Sequence, residues 1–225
     1  MWTQTAFWEP IMLSLKVTLC ASLIAMLLGG SLAWWMSRVT FKGKVLLETC
    51  FMLPLVLPPT VIGFLLLSGL GRKSMAGRLI ESLFHAPVVF TWWAAVIAAA
   101  TVAFPLVYQT MKAGFLSIDA DLVDAGRSIG ANEWQVLRHI MLPLSSQAIF
   151  TAYILGFARA LGEFGATMMF AGNIPGRTQT LPTAIYVATD TGQQGLAWAW
   201  TIMMIIISFL MLLMTRARSP HGMSS

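Results

Sequence analysis

Five apolar runs divide this chain, at about residues 11–36, 46–70, 90–111, 144–169 and 196–214, and each is long enough to cross a bilayer as a helix. Short polar links join them, with one long polar interval at 112–143. The pattern predicts an all-α polytopic membrane protein with five transmembrane helices, or six if the region 144–185 divides in two. All of 1–225 is then a single transmembrane domain. The first run is too long for a signal-peptide core and has no basic start, so it reads as a retained span. Trp2 and Trp8 before it, and Trp92, Trp93, Trp198 and Trp200 at later run starts, suit a membrane interface. Lys16 can snorkel to that interface; the competing reading places it on a transport path.

Two runs carry residues that lipid does not tolerate unaided. Pro54, Pro58 and Pro59 remove backbone donors from the second, so it must kink with its proline face inside the bundle, toward a pathway or merely toward a packing neighbour. In the fourth, Arg159 and Glu163 are four residues apart on one helix face with Ala152, Gly156 and Ala166. Opposite charges inside a span are expensive alone, so they are expected to pair, as a structural or gating bridge or with Arg159 contacting a substrate. The stretch 71–89 reads as a polar outer loop in which His85 is a surface residue. The stretch 170–195 reads as an outer loop whose apolar residues could dip back, and the tail PHGMSS as disordered.

Charge sets the orientation. Eight Lys or Arg fall in the segments at 38, 42, 44, 112, 127, 138, 216 and 218, against four at 72, 73, 78 and 177, which puts the N-terminus outside and the C-terminus in the cytoplasm. The chain is 57% apolar and 10% charged, far from a soluble domain, and has no basic patch for nucleic acid. Cys20 and Cys50 both lie in apolar runs, so neither a disulfide framework nor a metal site is expected. No phosphate-cradling glycine loop is present, so no nucleotide cofactor is expected and any ATP hydrolysis belongs to another subunit. An ion channel would want a selectivity filter, and a self-sufficient secondary transporter internal repeats; neither is visible.

The polar interval is the most informative stretch. Asp119 can cap a first short helix whose inward face would be Leu122, Ala125, Gly126 and Ile129, and Gly130 would end it. Asn132 then caps a second helix with Gln135 three residues on, a capping box, and Trp134, Leu137 and Met141 line one side until Pro143. Such an amphipathic helix-turn-helix between spans offers a knob to something in the water.

Asp124-Ala125-Gly126, three residues, Gly130, nine residues, then Ile140, Met141, Leu142-Pro143 resembles the cytoplasmic signature of permease subunits of binding-protein-dependent ABC importers. That signature reads Glu-Ala-Ala, three residues, Gly, nine residues, Ile, any residue, Leu-Pro; here Asp and Gly126 replace Glu and the second Ala. The runs LPLVLPPTVIGFLLL, FARALGEFGAT and NIPGRTQTLPTAIY are most similar to the molybdate permease subunits of that family, with sulfate, thiosulfate or tungstate permeases as the alternative. The resemblance implies an oxyanion importer working by alternating access between two copies of the chain. It also implies ATP-binding subunits docked on Asp124, Ala125, Gly126, Gly130, Trp134, Ile140, Leu142 and Pro143, and an extracytoplasmic binding protein that delivers the anion. Pro54, Pro58, Pro59, Arg159 and Glu163 are the candidate pathway or gate residues.

Overall fold

A computed structural model describes residues 4–218. Trp2 and the tail 219–225 lie outside the described residues, as do the side chains of Arg216 and Arg218. Among the described residues every regular element is a helix.

Helix α5, Trp92–Leu116, is the axis of the bundle. Thr91 caps it by accepting a hydrogen bond from the Ala94 N–H, and its first half is an alanine run, so neighbouring backbones can come close. Long α1, Gln4–Arg38, packs along one side and α9, Ser146–Leu161, along another. Val107 shows why both neighbours carry glycine where they cross: a Cβ on Gly29 of α1 would stand 3.0 Å from its Cγ1, and one on Gly156 of α9 2.5 Å from its Cγ2. Lipid gives helices no hydrophobic drive to associate, so this close van der Waals fit is what holds them. The small face expected on the fourth span is accordingly buried, at Ala152, Gly156 and Ala166.

Three helices are individually long and apolar enough to span: α1, α5 and α12, Gln194–Arg218. Two bent helix pairs pass the same test together, so the count reaches the expected five spans if each pair is one span. The second span is α2, Lys44–Val56, and α3, Pro59–Leu70, which meet at 114°. Its prolines therefore do more than kink one helix: Leu57 and Pro58 are extended, and a new helix starts on Pro59, whose missing N–H costs nothing at a first turn.

The run 144–169, expected as one helix, is divided too: its bent pair is Glu133–Leu144 with α9, meeting at 75° around Ser145, and a further interruption follows α9. α9 stops at Leu161, Gly162–Phe164 are non-helical, and α10, Gly165–Phe170, resumes the path. Beyond it, the supposed outer loop holds a helix, α11, Leu181–Asp190, which with α12 and the start of α1 buries a second apolar cluster around Ile11, Leu181, Ala184 and Trp200. The Ser14 hydroxyl, accepting from the Leu181 N–H at 2.6 Å, ties that helix to α1. The loop 71–89 is also partly helical: α4, Met75–Phe84, is capped by Ser74 and ends on His85 in the left-handed region.

Candidate functional site

After α5, which runs five residues beyond the expected end of its span, Ser117 leads into α6, Ala120–Ser128, and α7, Glu133–Val136. The junction is a Schellman motif: Gly130 at φ 89° lets its own N–H bond the Arg127 carbonyl and the Ala131 N–H bond the Gly126 carbonyl. Asp119 caps α6 through the Asp121 N–H. The Asn132 and Gln135 side chains each accept from the other's backbone, so the capping box is complete. The helix-turn-helix is therefore built by local chemistry that the sequence displays.

Its faces differ from the expectation. Val123 and buried Gly126 turn inward, whereas Leu122, Ala125 and Ile129 turn outward, Ile129 with 88% of its surface exposed. Trp134 is also exposed, while Leu137 and Met141 are buried. Gly126 is not part of an outward small-residue patch, because the Ile140 side chain lies over it, 2.5 Å from where a Cβ would stand. The spacing from Gly126 to Ile140 is thus an internal contact that closes α6 onto the following turn. A groove bordered by Ile129, Gly130, Ala131, Gln135, His139 and Ile140 opens beside it.

Residues 137–141 are a π-helical turn, and α8, Leu142–Leu144, follows at once. In an α-helix the Pro143 ring would press on the carbonyl one turn back; the wider turn, in which the Leu142 N–H reaches the Leu137 carbonyl, gives it room. Ser145 then satisfies the Met141 carbonyl with both its N–H and its hydroxyl, and the chain bends by 75° into α9.

A charged relay connects this knob to the first span. Asp124 accepts from Arg127 at 2.9 Å, Arg127 also reaches Glu133 at 3.0 Å, and Glu133 pairs with Arg38 at the end of α1. Hydrogen bonds from Arg127 hold the Glu133 carboxyl below the ordinary carboxylate range, and the same bonds push Arg127 up. Arg38 in turn stacks on Trp34 and touches Met141. Glu48 of α2 similarly takes Lys112 and the Tyr108 hydroxyl of α5. Neither link was expected: Arg38 and Lys112 read as orienting charges, and their carboxylate partners are 95 and 64 residues away in sequence.

Deeper in, the two interrupted spans meet. A Cβ on Gly165, the first residue of α10, would lie 2.9 Å from the Pro59 Cβ, and one on Gly63 of α3 would lie 2.6 Å from the Met169 Cβ. Pro58 and Pro59 are exposed at this junction, and Pro54 instead lines an apolar cavity of about 390 Å³ between α1, α2 and α5. Arg159 and Glu163 are paired at 3.0 Å across the interruption. Glu163, with a side chain 1% exposed, also accepts from the Ala166 N–H at 2.8 Å and so caps α10, while Arg159 keeps 29% of its surface. One carboxylate therefore serves as both ion-pair partner and helix cap. Lys16 stands over the Trp92 ring at 3.9 Å, at the end of α5 opposite the helix-turn-helix. Among the described residues no group of three His, Cys, Asp or Glu could hold a metal ion, and His85 is exposed.

Comparison with known proteins adds three findings. Residues 21–221 match the family described as binding-protein-dependent transport system inner membrane component. The chain is 55% identical to the putative molybdenum transport system permease protein YvgM of Bacillus subtilis, covering 97% of this chain and 96% of that one. It is 43% identical to the molybdenum transport system permease protein ModB of Escherichia coli K12, over 84% of each. Among solved structures, a bacterial ABC transporter importing the acidic polysaccharide alginate superposes with a TM-score of 0.74 at 17% identity, covering 97% of this chain and 82% of that one. The MetNI methionine ABC transporter, in an inward-facing conformation, gives 0.71 at 13%, covering 96% and 97%. These two likenesses concern the fold.

Proposed function

Because this chain belongs to the family of binding-protein-dependent transport system inner membrane components, and is a transport subunit rather than an enzyme, we propose that it is the permease of an ATP-driven molybdate importer. The observation that carries the substrate is the end-to-end 55% identity to a protein named as a putative molybdenum transport system permease. Two copies enclose the pathway, ATP-binding subunits seat on the exposed face of α6 and α7, and an extracytoplasmic oxyanion-binding protein delivers the anion. The N-terminus faces outside and α6 faces the cytoplasm of a bacterial or archaeal cell.

The geometry fits alternating access. Nucleotide-driven motion of the ATPases would be received by Leu122, Ala125, Ile129 and Trp134, and passed through Glu133 and Arg38 to α1 and through the π turn to α9. The interruption where α3 meets α10 is the place able to bend, with Pro58, Pro59, Arg159 and Glu163 around it. Glu163 would repel a dianion on its own, and the Arg159 bridge offsets that charge.

Proteoliposomes holding the permease, its ATPase and its binding protein should accumulate molybdate, with tungstate competing and sulfate failing to compete at equal concentration. Equal competition by sulfate would reassign the protein to sulfate or thiosulfate import.

A further inference from the structure

Arg72 and Arg177 take no part in the helix-turn-helix or the α3–α10 junction. Arg72, just after α3, and Arg177, in the loop before α11, border one cavity of about 240 Å³ with Pro87, Val89 and Phe90. The cavity lies at the start of α5, the end of the bundle opposite the helix-turn-helix. We propose that Arg72 and Arg177 form a landing site for a tetrahedral oxyanion at the outer mouth of the permease, occupied between release from the binding protein and passage inward. This rests on the oxyanion-permease reading and on the orientation given with it.

The walls are held in place. The Phe90 N–H bonds the Phe170 carbonyl, joining the two outer segments, and Phe90 sits at φ 59° with its ring 3.0 Å from where a Cβ on Gly172 would stand. The Arg177 N–H returns to the Ile174 carbonyl at 3.0 Å, and the buried Thr178 hydroxyl accepts from the Ile174 N–H at 2.9 Å. Arg177 thus projects from a closed, hydrogen-bonded turn. Two guanidinium groups on one concave, partly apolar surface suit an anion with several oxygens, since each can present parallel N–H donors.

Carboxylates stand nearby without filling the site. Glu81 meets Arg72 at 3.6 Å in an exposed pair, an arrangement that contributes little. Glu9 lies beside Gly176. A dianion reaching both arginines gains two sets of charge-assisted bonds, where Glu81 offers one exposed partner to Arg72 alone. The two guanidinium groups also serve capture, because positive charge in a concave site raises the local concentration of an anion.

The test uses the assembled transporter in nanodiscs without binding protein, with Cys20 and Cys50 replaced by serine. Pro87→Cys reports on the cavity, and Gln194→Cys, exposed at the start of α12, serves as reference. An anionic maleimide should react faster than a neutral one at Pro87→Cys by about tenfold relative to the reference, and molybdate should slow it. Adding Arg72→Gln with Arg177→Gln should remove both effects, whereas lysine at both positions should retain the charge preference. No preference, or protection that survives the double glutamine change, would overturn the site. ATP-driven uptake by the wild-type assembly with its binding protein is scored in parallel in proteoliposomes. Molybdate uptake without protection sinks the landing site and leaves the transport reading standing; protection without molybdate uptake supports the site and sinks the substrate.

Discussion

Gly126 and Gly130 both fall within the signature stretch, Gly126 where the signature has Ala, and they are glycines for different reasons. Gly130 needs its positive φ, and Gly126 needs room for Ile140. Gly130→Val should misdirect α7, costing about 2 kcal/mol or more from left-handed strain, and should lower both expression and ATPase association. Ala125→Glu lies on the exposed face, so it should leave expression normal and lower co-purification of the ATPase. Equal expression and equal ATPase recovery for the two variants would show that the turn and the face are not distinct. The sequence displays the first reason, since a glycine between two capped helices is a stop signal. It hides the second, because the neighbour that decides Gly126 lies fourteen residues on, within a π turn that no periodicity announces.

Arg159 and Glu163 were legible as a pair from their spacing alone; the cap that Glu163 supplies to α10 was not, because an unbroken helix leaves no N-terminus to cap. Removing either partner should therefore be unequal. Glu163→Gln keeps an amide oxygen for the Ala166 N–H and leaves Arg159 partly exposed to water, so it should be the milder single change, at about 1–2 kcal/mol. Arg159→Gln leaves a buried carboxylate with one N–H donor, and the double change should recover part of the combined loss in thermal stability of the purified permease. Strict additivity would refute the coupling.

At the scale of elements, existence was easier to read than continuity. The apolar runs coincide with the three long helices and with the bent pairs, since a bilayer demands a long greasy helix and little else matches that length. The interruptions at Leu57–Pro58 and Gly162–Phe164 were half visible, through the prolines in one case and not at all in the other. Helices α4 and α11 were missed because turn residues, Gly, Pro and Thr, surround them. The link from α7 to α1 yields a pH prediction. Glu133 titrates below its ordinary 4.5 in the folded protein, so its stabilising contribution is complete above the ordinary carboxylate range and is lost as pH falls through the depressed value. Association of the ATPase should hold steady from neutral pH down to that range and fall below it, with Glu133→Gln lacking this acid-sensitive component. An identical acid profile in wild type and Glu133→Gln would remove Glu133 from the relay.

For the whole molecule, topology and coupling are one question, because α6 and α7 reach an ATPase only if they face the cytoplasm. The bundle places Lys42 near the helix-turn-helix end and Pro175 in the loop at the opposite end, both exposed. An impermeant thiol reagent should label Lys42→Cys only in inside-out vesicles and Pro175→Cys only in intact cells or right-side-out vesicles; labelling of both from one side would break the five-span arrangement. The most direct test is molybdate uptake into proteoliposomes carrying the complete assembly, with ATP supplied or withheld on the ATPase side, in wild type and in Ile129→Glu, which changes an 88%-exposed residue of the proposed docking face. Accumulation is expected only with ATP in wild type, with loss of both accumulation and ATPase retention in the variant. Accumulation without ATP, or normal ATP-driven uptake by Ile129→Glu, would contradict the proposed function.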